Sequence, residues 1–113
     1  MEINTLSKYR TIVIRLEGEI DHHSAGSIRD ALEKEIHRSG AVNIAFDMGR
    51  VSFMDSSGIG MIIGRYKTVT ALGGTIIIYN ATESIKRLMS MAGIAKIAII
   101  SDNLHSALKE LTV

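Results

Sequence analysis

At 113 residues, with 46% apolar and 22% charged side chains, the chain has the size and balance of one compact domain. Thirteen basic against twelve acidic side chains leave a formal charge of +1, which excludes the basic excess that direct nucleic-acid binding normally carries, so partners must be recognised locally. Cysteine is absent, which excludes disulfides, thiolate catalysis and thiolate zinc sites and suits the cytoplasm; the N-terminus shows no leader pattern, and no apolar run approaches the roughly 18 residues that span a membrane.

Near the N-terminus, Ile12, Ile14 and Leu16 alternate with Val13, Arg15 and Glu17, a period-two strand. A short apolar segment around Ile3 and Leu6 precedes it, and a turn at Ser7 to Arg10 makes the two a hairpin. From Ser24 the period changes: Ala25, Ile28, Leu32 and Ile36 fall at helical spacing, and Gly40 stands where a left-handed terminator is wanted. Val42, Ile44 and Phe46 form the next strand. Ile59, Ile62, Ile63, Tyr66 and Val69 form a second helix that stops near Gly73-Gly74. A strand over Thr75 to Tyr79 leads to a helix bearing Ile85, Leu88, Met89 and Ala92, which Gly93 terminates. The last strand covers Ile97 to Ile100, and Ser101-Asp102 is expected to cap a closing helix with Leu104, Ala107, Leu108 and Leu111.

Segments of about two dozen residues between the later strands suit right-handed crossover helices. The expected fold is therefore α/β: one domain over residues 1–113, with a mostly parallel central sheet of about five strands, an N-terminal hairpin and about four helices. The nearly all-apolar Ile76-Ile77-Ile78 and Ile97-Ala98-Ile99-Ile100 imply strands covered on both faces or close to it.

Chemistry concentrates in Asp55-Ser56-Ser57-Gly58-Ile59-Gly60, between a strand end and a helix start, where ligands gather in open α/β sheets. Unpaired helix N–H groups and the positive dipole end would stabilise an anion on either serine. Gly58 and Gly60 would leave the hydroxyls approachable. The residues alone leave a simpler reading open, in which a serine is an N-cap and the glycines permit close packing. Gly58, Gly60 and Gly64 miss the dinucleotide spacing, the Walker lysine is absent, and Met54 and Asp55 stand where a nucleophile elbow needs its first glycine. His22, His23, His37 and His105 show no ligand spacing, so no metal site is expected. A second cluster, Gly18-Glu19-Ile20-Asp21-His22-His23, ends the strand before the first helix. If the two strands are parallel neighbours, both loops form one surface; the simpler reading of Asp21 is a helix-entry turn residue beside two exposed imidazoles.

Leu16 to His23, Phe53 to Gly60 and Gly64-Arg65-Tyr66-Lys67 together resemble the sporulation-type anti-sigma factor antagonists of the STAS domain family. The resemblance spans essentially the whole chain. It implies a non-enzymatic protein without a cofactor. Its unphosphorylated form binds an anti-sigma factor, itself a serine kinase carrying adenine nucleotide, and frees a sporulation sigma factor. The kinase then phosphorylates the serine directly after the aspartate, here Ser56, and a separate serine phosphatase reverses this. Ser57 would remain to cap the helix. By the same resemblance Asp21 pairs with a basic residue of the kinase, and His22, His23, Asp55, Ser57, Gly58 and Gly60 complete the partner-binding surface. The competing expectations are a small nucleotide-binding or phosphotransfer enzyme, and a STAS scaffold in stress or transport signalling.

Overall fold

The computed structural model describes residues 1–111; the expected domain end at residue 113 lies outside them. Five strands form one sheet in the order β1-β2-β3-β4-β5. β1 (Glu2–Leu6) is antiparallel to β2 (Thr11–Ile20), and a 3-10 turn over Ser7–Tyr9 joins them. β2, β3 (Asn43–Met54), β4 (Ile76–Tyr79) and β5 (Ala98–Ser101) are parallel neighbours.

Because the parallel strands follow one another in space as in sequence, crossovers of one hand put their helices on one face. α1 (Ala25–Ser39), α2 (Ser56–Ala71) and α3 (Glu83–Met91) all pack there. They bury the larger core, in which Ile12, Ile14, Leu16, Ile44, Phe46, Met48, Ile76 and Ile78 meet Leu32, Ile62, Val69 and Met89. Alternation sends Ala45 and Ile77 to the opposite face, where α4 (Leu104–Leu111) covers them with Ala107 and Leu108. A pleated strand buried on both faces needs apolar residues at every position. Ile76, Ile77 and Ile78 are each fully buried, as expected. β5 differs: it is a sheet edge, starts at Ala98 after a 3-10 turn over Ile94–Lys96, and is only half-buried.

Two other elements depart from the sequence expectation. The helix cap before α4 is Asn103, whose Oδ1 accepts from Ser106 N at 2.9 Å. Asp102 instead accepts from Lys86 Nζ at 3.1 Å. β3 runs eight residues beyond Phe46, to Met54, although β4 pairs with it only as far as Asp47. Its second half pairs with β2 alone, from Glu17↔Arg50 to Ile20↔Met54. The register slips beside Gly18, whose φ of 74° belongs to the left-handed region that glycine enters without strain. This two-stranded extension carries both chemistry-bearing loops past the rest of the sheet.

Candidate functional site

Ile20 and Met54 are register partners at the tips of β2 and β3, so Asp21 and Asp55 leave the sheet side by side. Asp55 N donates to Ile20 O at 3.2 Å, which ties the two exits together. Asp55 is also the N-cap of α2. Its Oδ1 accepts from Ser57 N at 2.8 Å and Gly58 N at 3.2 Å, and its carbonyl accepts from Ile59 N at 3.1 Å. Two of the first-turn N–H groups are thus satisfied by the aspartate, which corrects the expectation that Ser57 caps the helix and that these groups lie open to an anion. Ser56 and Ser57 are the first two helical residues. Ser56 is exposed and Ser57 is half-buried.

The two glycines differ in what they do. A Cβ on buried Gly58 would stand 2.5 Å from Ile20 O, so α2 can meet the end of β2 this closely only with glycine there. At Gly60 a Cβ would meet nothing within 4 Å. Packing requires the first glycine and leaves open space beside the second.

Asp21 closes a turn of its own. Its Oδ1 accepts from His23 N at 2.9 Å and Ser24 N at 3.2 Å, while Ser24 Oγ accepts from Asp21 N at 3.0 Å. Desolvation pushes the Asp21 carboxyl up, but those backbone donors and the two imidazoles outweigh it and hold the group below its ordinary value. Ser24 precedes α1 without capping it through its side chain. His22 and His23 are exposed, with ring centroids 3.9 Å apart. They face different ways. His22 lines a groove between α1 and α2 with Ser57 and Gly60, whereas His23 lies beside Leu16, Glu17 and Ile28 on the other side of the loop.

The groove brings in two residues that sequence reasoning left without a role, Arg29 and Arg65; Gly26 joins them, and Ala25 and Met61 also line it. Arg65 is 8% exposed, with Nε 3.0 Å from Glu33 Oε1. Burial lowers its guanidinium pKa; Glu33 opposes that shift and Arg29 adds to it. The spacing Ser57, Met61, Arg65 was the available signal, since residues four apart share a helix face. Among the described residues, no group of three or more His, Asp or Glu comes together as a metal site.

The sequence matches the STAS domain description over residues 2–107. It is 38% identical over 102 residues to the anti-sigma F factor antagonist of Paenibacillus polymyxa, covering 90% of this chain and 87% of the relative. The fold matches the unphosphorylated anti-sigma factor antagonist SpoIIAA with a TM-score of 0.75 at 28% identity, over 96% of this chain and 94% of that one. It matches the phosphorylated form of SpoIIAA from Bacillus with the same TM-score of 0.75 at 28% identity, over 97% of each chain.

Proposed function

The chain belongs to the STAS domain family, and we propose that within it this protein is an anti-sigma factor antagonist switched by phosphorylation of Ser56. The observation that carries the reading is the placement of Ser56. It is the first, exposed residue of α2, anchored by the capping Asp55 and set beside the Asp21 loop. A hydroxyl there can enter another protein's active site without local unfolding. The similarity to the antagonist of Paenibacillus polymyxa and to both forms of SpoIIAA supports the same assignment.

In this reading the unphosphorylated protein binds an anti-sigma factor that is a nucleotide-carrying serine kinase, and a sporulation sigma factor is released. Asp21, prearranged by its turn, pairs with a basic group of the kinase. His22, Ser57 and Gly60 extend the contact along the groove, and His23 flanks it. Asp55 and Gly58 act through position, the first by starting the helix and the second by letting it sit against β2. Phosphorylation adds about 1.5 to 2 negative charges at Ser56, next to the Asp55 carboxylate. Desolvation and like-charge repulsion at an interface reach several kcal/mol, and about 2.7 kcal/mol is a hundredfold in affinity. The switch therefore needs no refolding. A serine phosphatase resets it, and the antagonist itself turns over no substrate.

Incubation with the cognate anti-sigma factor and ATP, followed by phosphopeptide sequencing, tests the proposal. Phosphate is expected on Ser56 and absent from Ser56→Ala, which should bind the kinase without being released. Phosphate on Ser57 alone would overturn the assignment.

A further inference from the structure

Gly64-Arg65-Tyr66-Lys67 is a segment to which the proposed switch gives no role, yet Arg65 within it is 8% exposed. Its ion pair with Glu33 engages only the Nε side. That N–H is not aligned with the carboxylate, and neither Nε nor Nη1 of Arg65, both buried, donates a hydrogen bond among the described residues. Glu33 Oε1 is already taken by Thr68 Oγ1 at 2.8 Å. Buried guanidinium donors normally have acceptors, because an N–H withdrawn from water without replacement is costly. The orphaned donor belongs to a residue that lines the α1/α2 groove.

The rest of that groove suits an anion. Arg29 lines it as a second cation, with Nε held by Asp30 at 3.1 Å. His22 and the Ser57 hydroxyl add further donors. No carboxylate is among the lining residues. The space is kept open by glycines that packing does not demand. A Cβ at Gly60 would meet nothing within 4 Å, and one at Gly26 would meet only Arg29 Nη2 at 3.8 Å.

We propose that the groove between α1 and α2 is an oxyanion site, in which the guanidinium groups of Arg65 and Arg29 receive an acidic side chain of the bound protein. The identity of that source rests on the antagonist reading; the oxyanion site does not. Planar guanidinium pairs match a carboxylate or phosphate through parallel N–H donors, and a desolvated pair at an interface fixes register as well as affinity. The groove would thus orient α1 and α2 against the partner while Ser56 meets its active site.

The free, isotope-labelled protein can be titrated with sodium acetate and with sodium phosphate at constant ionic strength. Saturable shifts are expected at the amides of Gly26, Ser57 and Gly60 and at the Arg65 Nε–H. They should weaken about tenfold or more in Arg65→Gln, Arg29→Gln and Gly26→Leu, the last of which fills the groove without changing charge. Linear shifts, or wild-type behaviour in all three variants, would overturn the site. Should Arg65→Gln fail to fold, the exposed Arg29 and helical Gly26 variants decide. Phosphate bound more than about tenfold tighter than acetate would replace the acidic side chain with a phosphoryl source. Binding of the cognate anti-sigma factor separates the two readings. Wild-type-like affinity in Arg29→Gln and Gly26→Leu would remove the partner's acidic side chain from the groove. No binding by the wild-type protein would end the antagonist reading, while the acetate and phosphate titrations would still decide the groove.

Discussion

Asp55 Oδ1 holds the Ser57 and Gly58 N–H groups, so the start of α2 depends on the aspartate and not on either serine. Asp55→Ala should lower stability by about 1 kcal/mol, whereas Ser57→Ala should stay within about 0.5 kcal/mol of wild type in urea unfolding. Gly58→Ala should cost about 1–3 kcal/mol, because its Cβ would press on the Ile20 carbonyl, which is backbone and cannot turn aside. Asp21→Asn keeps a side-chain oxygen for the His23 and Ser24 N–H groups and removes the charge. Near-wild-type stability is therefore expected, with anti-sigma factor affinity reduced about tenfold or more by titration calorimetry. Unchanged affinity would make Asp21 only a turn residue. The Asp-Ser-Ser-Gly segment could be read in the sequence because these residue types mark a strand-to-helix junction. Its cap was placed two residues late because Asp and Ser serve equally well there and helix starts are uncertain by a residue or two. The Arg29 and Arg65 groove was hidden for a different reason: it exists only once α1 packs beside α2.

At the scale of elements, the edge strand β1 is fastened to α1 by Thr5 Oγ1, which donates to Glu35 Oε2 at 2.8 Å, and the same carboxylate pairs with Arg38. The Arg38 hydrogen bond, then the Thr5 hydroxyl, hold the Glu35 carboxyl down to about 2 from 4.5. A carboxyl with a depressed native value stabilises the fold fully above its unfolded value, and that contribution is lost as pH falls toward about 2. Glu35→Gln should therefore flatten the acid limb of the stability curve between about pH 4.5 and 2 and leave the neutral and alkaline limbs parallel to wild type. An unchanged acid limb would show that the clamp contributes nothing. Element types and order were legible because helical and strand periods differ so plainly. β3 was read short because Asp47, Gly49 and Arg50 break its apolar alternation where β4 stops pairing, and only the neighbouring tip of β2 shows that the strand continues. β5 was read as covered on both faces or close to it because Ile97 to Ile100 is apolar; Ala98 and Ile100 do pack on one core and Ile99 on the other, but a sequence does not state which strand forms the edge, where burial is only partial.

At the scale of the whole molecule, a phosphate on Ser56 meets two opposing fields. The positive end of α2 and the Ser56 N–H, which has no acceptor among the described residues, attract it; the Asp55 carboxylate, already seated on Ser57 and Gly58, repels it. The attraction is on the order of 0.3–1 kcal/mol at an exposed helix end, and the repulsion is on the order of 1 kcal/mol per charge pair at about 4 Å in water, so they oppose each other and leave a small net effect. The core under the site is also poorly placed to respond, since Met48, Val51 and Met54 are buried beneath the β2/β3 extension. Phosphorylated and free protein should then melt within about 5 °C of each other, given that about 1 kcal/mol moves a domain of this size by several degrees. Amide shift changes should be confined to the Asp21 loop, the first turns of α1 and α2 and the tip of β3. Shifts spreading through β4 and β5, or a fall in melting temperature beyond about 10 °C, would replace the surface mechanism with a conformational one.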